Sequence, residues 1–378
     1  MRKWVICCLL GLAVVVTVGV VSLHAADTIK IGVTAPITGP AAESGRNQLQ
    51  GIRQAVEEIN SAGGVLGKKI ELVVEDDQTT NPGIIMAFSK LAGDKDIVGF
   101  IGSIRSTQVN AMSPDVIKVG KPVMIGGTDP TLTHMGNPWY FRTRPNDSYS
   151  SRVMVDYGMN TLKQTKWAII HSTDTFGTSG KDGVVAALKK LGITPVLIQG
   201  YTNNSQDFTP VAMAVKRSGA DVMASYITME PDLGVFAKQL RQLGVNIPWV
   251  GSATNMSATA LRLAGATMYG TFTVADFSPE ASKTAKAYAD KYAATYKMRA
   301  DHFSAWAYDA MHVLALGIKN ARSTDPQKIR QAIIAIKNYQ GAEGKYDFDQ
   351  NGDGLHGYNV VRNDNGTIVF VKRIDFKE

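Results

Sequence analysis

The chain has 378 residues, 44% hydrophobic and 19% charged, which describes a folded globular protein too long for one compact core, so two lobes are expected. The formal net charge of +7 includes Arg2 and Lys3 and otherwise comes from scattered pairs such as Lys68-Lys69 and Lys189-Lys190, which argues against a basic stripe and against nucleic acid as a partner. Both cysteines, Cys7 and Cys8, lie near the start, so the rest of the chain offers no disulfide, zinc-thiolate site or thiol nucleophile.

The first stretch, residues 1–26, has a basic start at Arg2 and Lys3, a long apolar run and a small-residue exit at Ala25-Ala26. This is the pattern of a secretory signal peptide, with an uncleaved membrane anchor as the alternative. Cys7 and Cys8 sit inside the run, away from the position of a lipid-anchored cysteine. The folded part is expected to be exported to the periplasm.

From Asp27 onward, short β-branched runs alternate with amphipathic stretches, the rhythm of strands and helices built on a parallel sheet. "TIKIGVTAP" reads as a strand. The following helix carries Leu49, Ile52, Val56 and Ile59 on one face and stops at Gly63-Gly64. "KIELVVEDD" is a strand, and "NPGIIMAFSKLAG" a helix with Asn81 as cap and Pro82 in its first turn. "IVGFIGS", a helix over 107–119 and "PVMIGGT" complete a first sheet, whose strands end in small or polar residues. The rhythm restarts at "WAIIHSTDTFG" and runs through "TPVLIQG", "ADVMASYI", "IPWVGSA" and "GTFTVAD". Helices over 279–297, 303–320 and 326–337 follow, then two closing strands. The fold class is therefore α/β: two Rossmann-like, doubly wound lobes, with a ligand expected at the carboxyl ends of the strands.

The stretches "IKIGVTAPITGPAAESG", "GIRQAVEEINSAGGVLGKKIELVVEDDQTTNP", "FIGSIRSTQ", "GGTDPTLT", "FRTRPNDS" and "FDQNGDG" occur in an order that resembles the periplasmic leucine/isoleucine/valine-binding proteins, the solute-binding components of ABC importers. The resemblance spans essentially the whole exported chain. It implies a type I periplasmic binding fold with a three-strand hinge. Lobe 1 would hold residues 27–146 and 276–354, and lobe 2 residues 147–275 and 355–378. It also implies no enzymatic activity, no cofactor and no metal. The expected partners are a small carboxylate solute and the membrane permease and ATPase subunits of an importer, with the binding protein itself a monomer.

Gly126-Gly127-Thr128 would let a solute approach the main chain with no Cβ in the way and offer it a hydroxyl. The resemblance gives this segment the solute carboxylate; the alternative is a helix cap and turn at Thr128-Asp129-Pro130. It also assigns the loop 102–107 to the same carboxylate, through Ser103 and Ser106. Arg105, a departure from the family pattern, would act as a bidentate clamp or point to solvent. Where amino-acid binders place an acid for the solute ammonium, this chain has Ala253, with Glu230 as a substitute if the register slips. Met229 and Phe176 would form an apolar wall, and Thr254 and Asn255 would hydrogen-bond a neutral polar group. This pattern favours an aromatic or other organic acid over a branched-chain amino acid.

Several other motifs fail on chemistry. The series Asp347, Asp349, Asn351, Asp353 mimics a calcium loop but ends in Tyr358 where a bidentate carboxylate is needed, so a β-turn at Asn351-Gly352 is expected. "GGVLGKK" lies between a helix and the next strand, the reverse of a phosphate loop. Adjacent Asp76-Asp77 would point to opposite faces of a strand. Tyr288, Tyr292 and Tyr296 line one helix face as packing. The rival functions are the sensor module of a receptor and a secreted hydrolase, the latter without any recognisable nucleophile motif.

Overall fold

The computed structural model describes residues 28–376, so the expected signal peptide and both cysteines lie outside the described residues. The first half alternates strictly: β1 (Ile29–Ala35), α1 (Ala42–Ser61), β2 (Ile70–Asp76), α2 (Asn81–Gly93), β3 (Ile97–Ile101), α3 (Ser106–Val119), β4 (Val123–Ile125), a short α4 (Thr131–His134) and β5 (Tyr140–Arg142). These five strands form one parallel sheet in the order β2-β1-β3-β4-β5. Both faces are covered, which is why β1 is apolar almost throughout, with Ile29, Ile31, Val33 and Ala35 buried.

The alternation then resumes with α5 (Asp147–Asp156), β6 (Trp167–Ser172), α6 (Thr175–Lys189), β7 (Leu197–Tyr201), α7 (Thr209–Arg217), β8 (Val222–Tyr226), α8 (Glu230–Gln242), β9 (Trp249–Gly251), α9 (Ala258–Ala264) and β10 (Phe272–Ala275). Three helices, α10 (Lys283–Tyr296), α11 (His302–Ala321) and α12 (Pro326–Ile334), precede a small hairpin of β11 (Tyr339–Gln340) and β12 (Lys345–Tyr346). The closing pair is β13 (Gly357–Asp364) and β14 (Thr367–Asp375). The second sheet runs β14-β13-β10-β9-β8-β6-β7, parallel from β7 to β10 and antiparallel at β13 and β14.

The parallel part of each sheet has the doubly wound order 2-1-3-4-5, which opens a crevice beyond the carboxyl ends where strand order reverses. The chain passes between the sheets three times: after β5, after β10 and before β13. Helix α11 returns to the first sheet and packs Trp306, Leu314 and Ile318 into the core of β1 and α1. The α1–α11 approach is close enough that a Cβ on Gly51 would stand 2.1 Å from the Ser304 carbonyl oxygen.

Element ends shift by small amounts from the sequence expectation for local reasons. Thr80, not Asn81, caps α2, its hydroxyl accepting from the Gly83 N–H. Helix α10 starts at Lys283 because Ser282 accepts from the Ala285 N–H and ends the preceding turn Pro279–Ala281. "GGVLGKK" is a turn closed by a Val65–Lys68 bridge. The calcium-like loop is a turn in which the Gly352 N–H reaches the Asp349 carbonyl at 3.2 Å, and its Asp353 pairs with buried Arg142. Among the described residues no group of three or more His, Cys, Asp or Glu could hold a metal ion.

Candidate functional site

The carboxyl ends of both sheets face one cavity, at the place where ligands bind in open α/β sheets. Six strand ends contribute a short segment: Ile104–Ser106 after β3, Thr128 after β4, Arg144 and Asp147 after β5, Phe176 after β6, Thr228 after β8, and Ser252–Thr254 after β9. His302 and Phe303 come from the start of α11, and Tyr358 from β13.

Of the residues marked in the sequence, Arg105, Ser106, Thr128, Phe176 and Thr254 line this cavity. Thr128 and Asp129 divide two jobs: Thr128 faces the cavity while Asp129 makes the turn before α4, accepting from the Thr131 N–H at 2.9 Å. The other marked residues are engaged elsewhere. Ser103 donates to Gln108 Oε1 at 2.6 Å and accepts from the Arg105 N–H, fixing the loop before α3. Gly126 and Gly127 are not among the lining residues; a Cβ on Gly126 would meet Trp306 at 2.6 Å and Ile104 at 2.8 Å, and one on Gly127 would meet Leu132 at 2.7 Å. Met229 caps α8 and lines a neighbouring depression with Thr79, Thr107 and Asn203. Asn255 is buried, its amide folded over Gly251.

Arg105 is the main electrostatic feature. It is buried, its Nη1 donates to the Thr228 carbonyl at 3.3 Å, and Nε and Nη2 have no hydrogen-bond acceptor. Glu230 lies 3.7 Å from Nη2, an ion-pair distance too long for a hydrogen bond. Glu230 itself is buried, accepts from Ser44 Oγ at 2.9 Å, and is not among the lining residues.

Of the lining residues not marked as site residues from the sequence, four are ionisable: Arg144, Asp147, His302 and Tyr358. The signal for two of them was present in "FRTRPNDS", a basic residue and an acid directly after a strand, on loops where sites concentrate. Arg144 is committed to Asp276 and to the Gly126 carbonyl, the latter at 2.9 Å. Asp147 accepts from Thr128 Oγ1 at 2.9 Å and from Ser150 Oγ at 3.2 Å. Burial pushes its carboxyl up to about 7, against the opposing pull of those hydrogen bonds and Arg144. Burial likewise pushes His302 down to about 3, so its imidazole stays neutral, with Nδ1 lacking a partner. The Tyr358 hydroxyl donates to the Pro145 carbonyl at 2.7 Å.

Below the cavity, Arg142 ties the floor together. Its guanidinium is fully buried and bonds to Asp353 at 2.8 Å, the Gly127 carbonyl at 3.1 Å and the Thr133 hydroxyl at 2.6 Å. The loop that mimics a calcium site therefore supplies a structural carboxylate to the segment bearing Thr128.

Residues 28–367 match the profile of the periplasmic binding protein family. The chain is 31% identical over 367 residues to the Leu/Ile/Val-binding protein homolog 3 of Brucella melitensis biotype 1, covering 95% of this chain and 97% of that protein. Its fold is similar to that of the leucine-binding protein LivK from Thermotoga maritima, with a TM-score of 0.86 and 23% identity over 92% of this chain and 99% of that one. A solute-binding protein from R. palustris in complex with benzoate is similar at a TM-score of 0.83 and 19% identity, covering 92% of this chain and 96% of that one. At these identities the two solved structures speak for the fold alone.

Proposed function

Because this chain belongs to the leucine/isoleucine/valine-binding group of the periplasmic binding protein family, whose members carry solutes without acting on them, we propose that it binds a small carboxylate and delivers it to the permease and ATPase subunits of an ABC importer. It works in the periplasm after export by its N-terminal segment. The closing bodies are residues 27–146 with 276–354, and 147–275 with 355–378.

The observation that carries the carboxylate reading is Arg105, a buried guanidinium at the cavity wall whose Nε and Nη2 have no acceptor. Glu230 balances its charge at 3.7 Å but leaves these N–H groups without acceptors, which is costly in a buried site, and a carboxylate arriving between Arg105, Ser106 and Thr128 satisfies them. Phe176 and Phe303 then face the body of the solute. Ala253 offers no charge to an ammonium group, and Glu230 is already held by Ser44 and Arg105. An organic acid without an α-amino group, aromatic for preference, fits this arrangement.

A second reading, a branched-chain amino acid, is favoured by one observation: Asp147 lines the cavity and would counter an ammonium if ionised. The relative from Brucella melitensis, named as a Leu/Ile/Val-binding protein, agrees with it.

Calorimetric titration with benzoate, phenylacetate, benzamide, leucine and valine separates the two. Organic acids are expected to bind and the amide to bind weakly; binding of leucine or valine alone selects the second reading. Arg105→Ala is expected to cost the acids about 1.5–3 kcal/mol, the range of a charge-assisted hydrogen bond, and the amide much less. Equal losses for acid and amide would remove Arg105 from carboxylate recognition.

A further inference from the structure

We infer that Asp147 takes up a proton when a carboxylate solute enters the cavity, reversing the Thr128–Asp147 hydrogen bond so that the Thr128 hydroxyl is released to the solute. The inference rests on the carboxylate reading above and adds a proton to it.

The geometry requires the reversal. A threonine hydroxyl has a single proton to donate. Thr128 spends it on Asp147 Oδ2, 2.9 Å away, and its backbone N–H on Ser106 Oγ at 3.1 Å. While Asp147 is ionised it only accepts, so Thr128 has no donor left for an incoming carboxylate. A proton on Asp147 Oδ2 turns the same contact around: the carboxyl donates to Thr128 Oγ1, and the hydroxyl proton turns to the solute. The proton comes from bulk water, so one anion and one proton enter together and the charge of the site is unchanged.

Electrostatics favours the same outcome. A solute carboxylate one hydroxyl away from Asp147 lies within the roughly 4–6 Å over which like charges disfavour each other's ionised forms. Asp147 is buried, which already favours its neutral form. The groups around it are on several elements. Arg144, after β5, opposes protonation, and Asp129, before α4, favours it. Ser150 on α5 donates to Asp147 Oδ1, and its hydroxyl also meets Tyr226 of β8 at 2.7 Å. Tyr226 and Tyr358 of β13 are held neutral by burial, and Arg144 is paired with Asp276. Tyr226, Tyr358 and Arg144 keep their protons near neutrality and His302 across the cavity stays neutral, so among them Asp147 is the group that responds.

Only the fraction of protein with Asp147 protonated is ready to bind, and apparent affinity scales with that fraction. With the free carboxyl titrating at about 7, benzoate is expected to bind about tenfold more weakly at pH 8 than at pH 6. Titration of the protein with benzoate at pH 8 in phosphate and in Tris, whose ionisation enthalpies differ, is expected to report uptake of close to one proton per benzoate bound. Asp147→Asn, whose amide can donate to Thr128 permanently, should abolish the difference between pH 6 and pH 8. Benzoate binding with equal affinity at both pH values and no proton exchange in the unaltered protein would overturn the inference while leaving the carboxylate reading in place. Leucine binding with proton release would assign Asp147 to an ammonium and overturn it too. No heat from benzoate, phenylacetate or leucine at either pH would overturn the carboxylate reading, and this inference with it.

Discussion

At the residue scale, Gly126 shows how a glycine can be marked by position and explained by something distant. The sequence reading took Gly126-Gly127 as a place where a solute meets bare backbone. In the fold, the space a Gly126 side chain would need belongs to the indole of Trp306, which is fully buried on α11. Gly126→Ala is therefore expected to destabilise the protein by about 1–3 kcal/mol through overpacking, measured by urea unfolding. If stability is unchanged, Trp306 yields to the added methyl and the packing account fails. The same distance limits explain what else was legible. Arg105, Ser106 and Thr128 follow short strands, where a polar residue after a β-branched run can be placed at a crevice without knowing the fold. His302 reaches the cavity only because α11 returns from the second half of the chain, and Asn255 leaves it because its amide folds back over Gly251; neither is a local property of the sequence.

At the element scale, the alternation of strands and helices was readable because parallel strands covered on both faces keep nearly continuous apolar runs. Strand order was not readable: nothing in β1 says that β2 and β3 flank it, so the crevice position had to come from the assembled sheets. The helices covering β1 carry a polar test of their packing. Glu58 on α1 accepts from Tyr308 of α11 at 2.6 Å and Lys291 of α10 at 2.9 Å, with His312 at 3.4 Å, joining three helices. Burial pushes this carboxyl up, but the bonds from His312, Tyr308 and Lys291 outweigh it and hold the group at about 2. A carboxyl held this low stabilises the fold fully above its unfolded value near 4.3, and that contribution disappears as pH falls towards 2. Glu58→Gln is expected to cost about 1–2 kcal/mol at pH 7, less than the full shift because the side chain is partly exposed. The gap from the unaltered protein should narrow by pH 3. A gap that stays constant from pH 7 to pH 3 in urea unfolding would mean the loss is one of shape and not of charge.

At the scale of the whole molecule, the two halves meet across the cavity through a few polar contacts. Glu230 of α8 reaches over to Ser44 of α1 at 2.9 Å and to Arg105 at 3.7 Å. Arg105 in turn bonds the Thr228 carbonyl, and the Thr175 N–H bonds Thr107 Oγ1 at 3.2 Å. If the two lobes close on a solute as proposed, these contacts belong to the closed form. Ser44 is the cleanest probe because it does not line the cavity, so its loss changes no solute contact. With alanine at 44, the Glu230 carboxylate loses a buried donor when the lobes are shut but meets water when they are apart. The penalty, about 1–2 kcal/mol, therefore falls on the closed form. Ser44→Ala should raise the release rate of every solute by the same factor, roughly 5- to 30-fold, and leave the ranking of solutes untouched. It should also increase the radius of gyration of the solute-free protein in X-ray scattering, if closure is partly populated without solute. Release rates that change for one solute and not another would place Ser44 in recognition; rates unchanged for all would mean that the Ser44–Glu230 contact does not hold the lobes together, and that closure rests on the solute itself.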